Sequence, residues 1–425
     1  MRILFVTPYP PSRIRVRGYG FLTQLQRAQE VTVMVQCASE QELADVEKLR
    51  GQGYEVLVVQ ESKIRSARRS AMALFNSLPL QAAYARSTRF TQAVHQLCTQ
   101  RPFDVVHVEH LRGIASMQQM AHSHPLVWDA VDCISLLCKH AIAAGPSRAV
   151  RMMAALEHER TRRYEAQILS RLKHTVVTSE RDRQAMIELL RTYTRNLTWD
   201  DAELGAGISV IANGVDLEYF RPLQLEPRRF NLVFSGKMSY HANVATALYL
   251  YHQIMPLIWQ RRPEATLTIV GNKPPKTIQA LGNDPRVEVT GYVEDMRPYV
   301  GQAEIMLSPM VYSVGIQNKV LEAMALGTPV VVAAQAAGAL GTEPGRDLLV
   351  ATSAQDFAEA TLHLMDDADL RMSLSQHGRT YVEQQHNWHT VTSRLVDVYQ
   401  QAITAYASKS PTSDSTKILA PGLTL

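Results

Sequence analysis

The sequence is poor in the features that would settle its class quickly. Its four cysteines, Cys37, Cys98, Cys133 and Cys138, show no paired-knuckle spacing, which argues against a zinc site or a disulfide framework and favours reduced thiols. No apolar run reaches the ~18 residues that span a bilayer. The N-terminus has no signal-peptide pattern, since Met1-Arg2 leads straight into the strand-like run Ile3-Leu-Phe-Val6. No internal repeat is evident. Aromatic residues do not interleave with the basic clusters, which disfavours nucleic acid as a partner.

What is present describes a globular protein with room for two domains. The 425 residues are 46% hydrophobic and 20% charged, with a formal net charge of +4. That charge is unevenly spread: residues 1–200 carry 27 Lys+Arg against 18 Asp+Glu, and the remainder 17 against 22. Clusters at Arg13, Arg15 and Arg17, at Lys63, Arg65, Arg68 and Arg69, and at Arg160, Arg162 and Arg163 suit a phosphorylated acceptor or an anionic membrane surface. Solvated helix faces explain the same clusters equally well.

The first half alternates strands with amphipathic helices. Strands are expected at 3–7, 30–35, 55–59, 104–108, 126–129 and 174–178, with helices at 20–29, 40–51, 86–100, 114–122 and 152–171. After the Asn213-Gly214 turn and Pro222 the rhythm restarts with a strand from Phe230 to Ser235. The expectation is an α/β fold of two Rossmann-like doubly wound domains facing each other across a cleft, with the boundary at 215–228. In residue terms these are a first domain over 1–218, a second over 219–385, a helix over 386–407 and a polar, disordered tail over 408–425.

The strongest local signal is Gly315-Ile-Gln-Asn-Lys-Val-Leu-Glu322-Ala-Met-Ala-Leu-Gly327-Thr-Pro329. A loop glycine, Gly315, precedes a helix that opens with Asn318 and Lys319 and places Glu322 about one turn in; Gly327 and Pro329 stop it before a valine strand. A helix N-terminus beside a lysine suits a diphosphate, and a carboxylate one turn on can accept both hydroxyls of a ribose. A second site, Gly236-Lys237, follows a strand and leads into a helix near Asn243. If both loops top one sheet, Lys237 and Lys319 meet over one crevice and can stabilise a diphosphate leaving group.

These segments resemble the GT-B glycosyltransferases of the large retaining family 4, and among them bacterial sugar transferases of exopolysaccharide systems. The resemblance rests on Gly236 to Asn243, Val270-Gly271, Val289 to Tyr299 and Gly315 to Ala325; it is specific in the second half and looser in the first. It implies a GT-B fold whose C-terminal helix returns to the first domain, and a nucleoside-diphosphate-sugar donor with no required cofactor or metal. It implies that Glu322 holds the ribose, that Lys319 and Lys237 hold the diphosphate, that Tyr292 and Val293 meet the base, and that Gly18 lets the first loop approach the diphosphate, with Arg17 adding charge. Val314 stands where many relatives have a glutamate that touches the donor sugar, so Asn318 or loop amides are expected to take over that contact.

On the acceptor side, His107, Glu109 and His110 follow one expected strand and Asp129 and Asp132 another. Asp129 stands where many relatives carry a histidine and is expected to orient or deprotonate the acceptor hydroxyl; a helix cap is the competing role for Asp132. Adjacent ligands on one strand end do not make a closed metal site, and Asp367-Ala-Asp369 reads as a helix cap. The expected partners are a nucleotide sugar and a glycan, lipid-linked or small-molecule acceptor, in a cytoplasmic enzyme that touches the inner membrane face through its basic half. A sugar-nucleotide 2-epimerase and a non-catalytic assembly protein are the alternatives.

Overall fold

The computed structural model describes residues 1–145, 147–194, 200–310 and 316–408. Two wholly parallel sheets carry the chain. The first has seven strands, β1 (Arg2–Thr7), β2 (Glu30–Cys37), β3 (Glu55–Gln60), β4 (Val105–Glu109), β5 (Leu126–Val131), β6 (Thr175–Val177) and β7 (Ile208–Val210), in the order β3-β2-β1-β4-β5-β6-β7. The second has six, β8 (Arg228–Ser235), β9 (Thr266–Val270), β10 (Val287–Gly291), β11 (Ala303–Ser308), β12 (Val330–Ala333) and β13 (Leu349–Ala351), in the order β10-β9-β8-β11-β12-β13. In both the strand order reverses beside the first strand, which opens a crevice at the strands' carboxyl ends. This is the expected α/β architecture of two Rossmann-like domains.

The central strands are apolar runs because helices cover both faces of each sheet. Ile3, Leu4, Phe5 and Val6 of β1 are fully buried, two toward each face. The last helix, Trp388–Ala407, belongs to the first domain's core: Trp388, Val391, Leu395 and Tyr399 pack with Phe5, Phe21 and Val35. The chain thus crosses between the sheets twice. Val215 N donates to His386 O at 2.7 Å, and His386 Nδ1 lies 2.7 Å from Asn213 O, so the two crossings are tied side by side.

Several boundaries differ from those expected. The first helix begins at Val16, not Gly20, and so puts Arg17 and Gly18 in its first turn. The helix expected over 386–407 begins at Trp388 and is separate from the one before it. The earlier helix ends at Gln385, and Asn387 caps the next by accepting from His389 N at 2.9 Å. Helices at Lys63–Ala73, Ile134–Ala144 and Glu180–Tyr193 carry no expectation from the sequence pattern. The first of these has its apolar side facing water, which inverts the usual signal.

Candidate functional site

At the carboxyl end of β8 the chain turns through Gly236 with φ +151°, a conformation for glycine. A Cβ there would sit 2.8 Å from Asn243 Nδ2 and 3.1 Å from Lys319 Nζ, so the loop closes directly on the opposite lysine. Asn243 joins the two: its Nδ2 donates to Lys237 O at 3.0 Å and its Oδ1 accepts from Lys319 Nζ at 2.6 Å. The exposed Lys237 lines an open hollow of about 310 Å³ with Ser239, Tyr240 and Asn243.

Lys319 opens the helix Asn318–Leu326, and its ammonium lies 4.6 Å from the Phe234 ring centre. Burial against that ring pushes the lysine down to about 7, partly offset by Glu322. Burial likewise pushes Glu322 up to about 7, and Lys319 opposes it. The pair is half-buried and poised, each member short of the charge density it would have in water. Asn243, read from the sequence only as a helix start, is the residue that ties Lys319, one helical turn before Glu322, to the Gly236-Lys237 loop.

The other donor-side residues are more dispersed. Tyr292 and Val293 follow β10, two strands from β8; Tyr292 is exposed, and Val293 packs on the second-domain core. Gly315 and Val314 lie outside the described residues. Asn318 Oδ1 accepts from Asn213 Nδ2 at 2.9 Å, which directs that oxygen toward the first domain. Gly18 lies against the acceptor side, where a Cβ would come within 2.8 Å of Glu109 Oε2.

Three first-domain expectations need correction. His107 is not at a strand end: it is a fully buried residue within β4, stacked on Phe5 at 4.2 Å, with Nδ1 2.9 Å from Tyr399 Oη. Burial pushes its pKa down to about 4, so the ring is neutral. Asp129 is also fully buried, and its Oδ2 accepts from Arg17 Nε at 2.7 Å. A carboxylate occupied in this way does not meet an acceptor hydroxyl. Arg17 in turn is no surface cation. Its Nη1 donates to Ile211 O at 2.9 Å and Asn213 Oδ1 at 2.8 Å, and the side chain is only 5% exposed.

Two carboxyls at adjacent strand ends remain. Glu109 closes β4, and burial, then the charge of Asp129, pushes it up to about 7. Thr7 Oγ1 lies 2.9 Å from Glu109 Oε2 and 2.8 Å from Tyr9 O. One hydroxyl proton cannot serve two acceptors, so both contacts are satisfied when Glu109 is protonated and donates to Thr7. Asp132 is partly exposed beyond β5, accepts from Thr178 Oγ1 at 3.1 Å, and is pushed up to about 7 by burial and then by Asp182. The cap of the helix Ile134–Ala144 comes from Glu165, which accepts from Ile134 N at 2.8 Å and Ser135 N at 3.2 Å, leaving Asp132 outside that role. Left-handed non-glycine residues, His110 at φ 67° and Val131 at φ 68°, flank both carboxyls. Such conformations cost about 1–3 kcal/mol each and concentrate at functional rims. Asp367 caps a helix by accepting from Leu370 N at 2.8 Å.

Residues 229–367 match the family model "Glycosyl transferases group 1", a span that contains Gly236, Lys237, Asn243, Lys319 and Glu322. A GDP-mannose-dependent monoacylated alpha-(1-6)-phosphatidylinositol monomannoside mannosyltransferase of Corynebacterium glutamicum is 30% identical over 160 residues, 34% of this chain and 42% of that protein. An MMP alpha-(1->4)-mannosyltransferase of Mycolicibacterium hassiacum is 28% identical over 211 residues, 47% of this chain and 50% of that protein. The chain thus spans half or less of the length of these curated relatives. Among solved structures, Anabaena HepE in complex with UDP superposes with a TM-score of 0.64 at 14% identity, covering 94% of this chain and 100% of that one. Sucrose-phosphate synthase from Thermosynechococcus elongatus gives 0.67 at 15% identity, covering 95% of this chain and 100% of that one. These similarities define the fold as GT-B, with a glycosyltransferase group 1 region in its second domain.

Proposed function

We propose that the protein is a glycosyltransferase that moves a hexosyl group from a nucleoside-diphosphate sugar to an acceptor hydroxyl. The observation that carries this reading is the junction at Asn243, which holds the Gly236-Lys237 loop against Lys319, one helical turn before Glu322. Lys237 and Lys319 neutralise the diphosphate and Glu322 receives the ribose hydroxyls. The acceptor lies across the cleft near Glu109 and Asp132. In the transfer, the bond from the anomeric carbon to the diphosphate oxygen breaks and the acceptor oxygen bonds to that carbon. The departing diphosphate takes up the hydroxyl proton. Charge development on the leaving group is met by fixed cations and the helix N-terminus, which is where such stabilisation is most effective.

The group 1 match and the mannosyltransferase relatives support a sugar nucleotide as donor, GDP-mannose being the one a relative's name gives. Retention of configuration and independence from metal follow the family-4 resemblance. The acceptor is a glycan, a lipid-linked sugar or a small molecule, and the enzyme works in the cytoplasm. Incubation with radiolabelled GDP-mannose, UDP-glucose or related donors and an acceptor extract should yield a labelled glycoside and free nucleoside diphosphate. Glu322→Ala should raise the donor Kd at least about tenfold. Epimerised donor formed without any acceptor, or unaltered donor affinity in Glu322→Ala, would sink this reading.

A further inference from the structure

We propose that the helix Lys63–Ala73 and the adjoining start of the helix Arg148–Leu169 form a docking surface for an anionic lipid bilayer. The first of these helices is packed inside out. Its buried face is polar: Ser66 is enclosed, Arg69 donates to Ser66 Oγ at 2.8 Å and Tyr84 O at 3.1 Å, and Ser70 Oγ donates to Leu80 O at 2.9 Å. Its apolar residues face water, with Ile64 81%, Met72 62% and, just past the helix end, Phe75 93% exposed. Ile64, Ala67, Ala71, Met72 and Phe75 recur at helical spacing and so share one stripe.

The second helix extends this stripe. Arg160 donates to Ala73 O at 2.8 Å and Leu74 O at 3.0 Å, and Glu157 accepts from Leu80 N at 2.8 Å, so the two segments are neighbours. Met152, Met153 and Leu156 are exposed on the preceding turns. Of thirteen large apolar side chains exposed among the described residues, seven belong to these two segments. Scattered exposed apolar residues need no explanation, whereas a concentrated set marks an interaction surface.

The charge of the surface selects the occupant. No Asp or Glu occurs between Glu61 and Asp104, while Lys63, Arg65 and Arg68 border the stripe from exposed positions. Arg148 and Arg151 do the same for the second helix. On the second helix Glu157 is buried and Glu159 is paired with Arg162 and Arg163, so the exposed apolar side chains are bordered mainly by cations, which suits the acyl boundary and phosphate headgroups of an anionic leaflet. No helix among the described residues is long and apolar enough to cross a membrane. Docking here needs no sugar chemistry and stands or falls separately from the transferase reading.

Flotation of the full chain with vesicles of phosphatidylcholine, with and without about 30% phosphatidylglycerol, tests this surface. The protein should float with the anionic vesicles and much less with the neutral ones. Met72→Ser combined with Phe75→Ser should weaken binding at least about tenfold, because it removes the inserted apolar groups. Arg65→Ser combined with Arg68→Ser should erase most of the preference for phosphatidylglycerol. Both pairs are exposed, so melting temperature and nucleotide binding should be unchanged and serve as folding controls. Failure of the wild type to float with anionic vesicles, or equal flotation by Met72→Ser/Phe75→Ser, overturns the proposal. So does a stable dimer in light scattering that this variant dissociates, since a second copy would then be the occupant.

Discussion

Asn213, in the segment that leaves the first sheet, donates through Nδ2 to Oδ1 of Asn318 at 2.9 Å, at the start of the helix that carries Lys319 and Glu322. Its own Oδ1 accepts from Arg17 at 2.8 Å, and Arg17 holds Asp129. A continuous polar chain thus links the floor of the first domain to the start of the helix that carries the lysine and glutamate of the second. Asn213→Ala and Asn318→Ala should each lower kcat/KM for transfer by about 0.5–1.5 kcal/mol, or some two- to tenfold. The double variant should be little worse than either single one, and a double-mutant cycle in kcat/KM measures the coupling.

The Arg17–Asp129 pair is buried on both sides, and breaking it leaves a lone charge in the core. Arg17→Met should cost about 3–5 kcal/mol, while Arg17→Met combined with Asp129→Leu should recover much of that loss. Denaturant midpoints of the three variants against wild type make the comparison.

Lys319 is pushed down to about 7 in the ligand-free protein. A depressed lysine contributes stability above its ordinary value near 10.5 and loses it as pH falls through about 7. A bound diphosphate favours the charged ammonium and raises that pKa again. At pH 8 donor binding should therefore take up on the order of half to one proton. Calorimetry in buffers of different ionisation enthalpy reads this directly, and Lys319→Met should abolish it.

Glu109 is pushed up to about 7, so its neutral form is the one the fold favours. Its contribution to stability is complete below its ordinary value of 4.5 and is lost as pH rises through about 7. Between pH 5 and 8 the wild type should lose up to about 3 kcal/mol relative to Glu109→Gln. Melting curves of both proteins across that range test the sign.

Trp388 seats the last helix on the first domain against the backbone of Gly20, where a Cβ would lie 2.1 Å from the indole Cε2. Gly20→Ala should destabilise the protein by about 1–3 kcal/mol or more through displaced packing. A lowered melting temperature, with nucleotide binding retained at low temperature, is the expected result.

Much of the second domain's architecture was legible in the chain because the signals that fix it are local. Gly236 and Lys237 directly follow β8 and Asn318 through Glu322 open one helix, and such short segments write their requirements into consecutive residues. The first domain was harder to read. His107 and Asp129 look like strand-end chemistry, yet His107 packs under Phe5 and Tyr399 and Asp129 is neutralised by Arg17. Tyr399 is 292 residues from His107 and Arg17 is 112 from Asp129, separations at which pattern says nothing about contact.

The sequence alone determined the alternation of strand and helix, the restart at β8 and the glycine turn that follows it, because periodicity, glycine and proline act over a few residues. Only the tertiary structure decided which carboxyls are free. It showed Asp129 spent on Arg17, Glu109 held beside Thr7, and Asn243 clamping Lys319, 76 residues away, to the Gly236-Lys237 loop. It also turned the apolar stripe of Lys63–Ala73 outward, which composition could not reveal. The physical reason is common to all of these: the protonation state and exposure of a side chain depend on what distant segments pack against it.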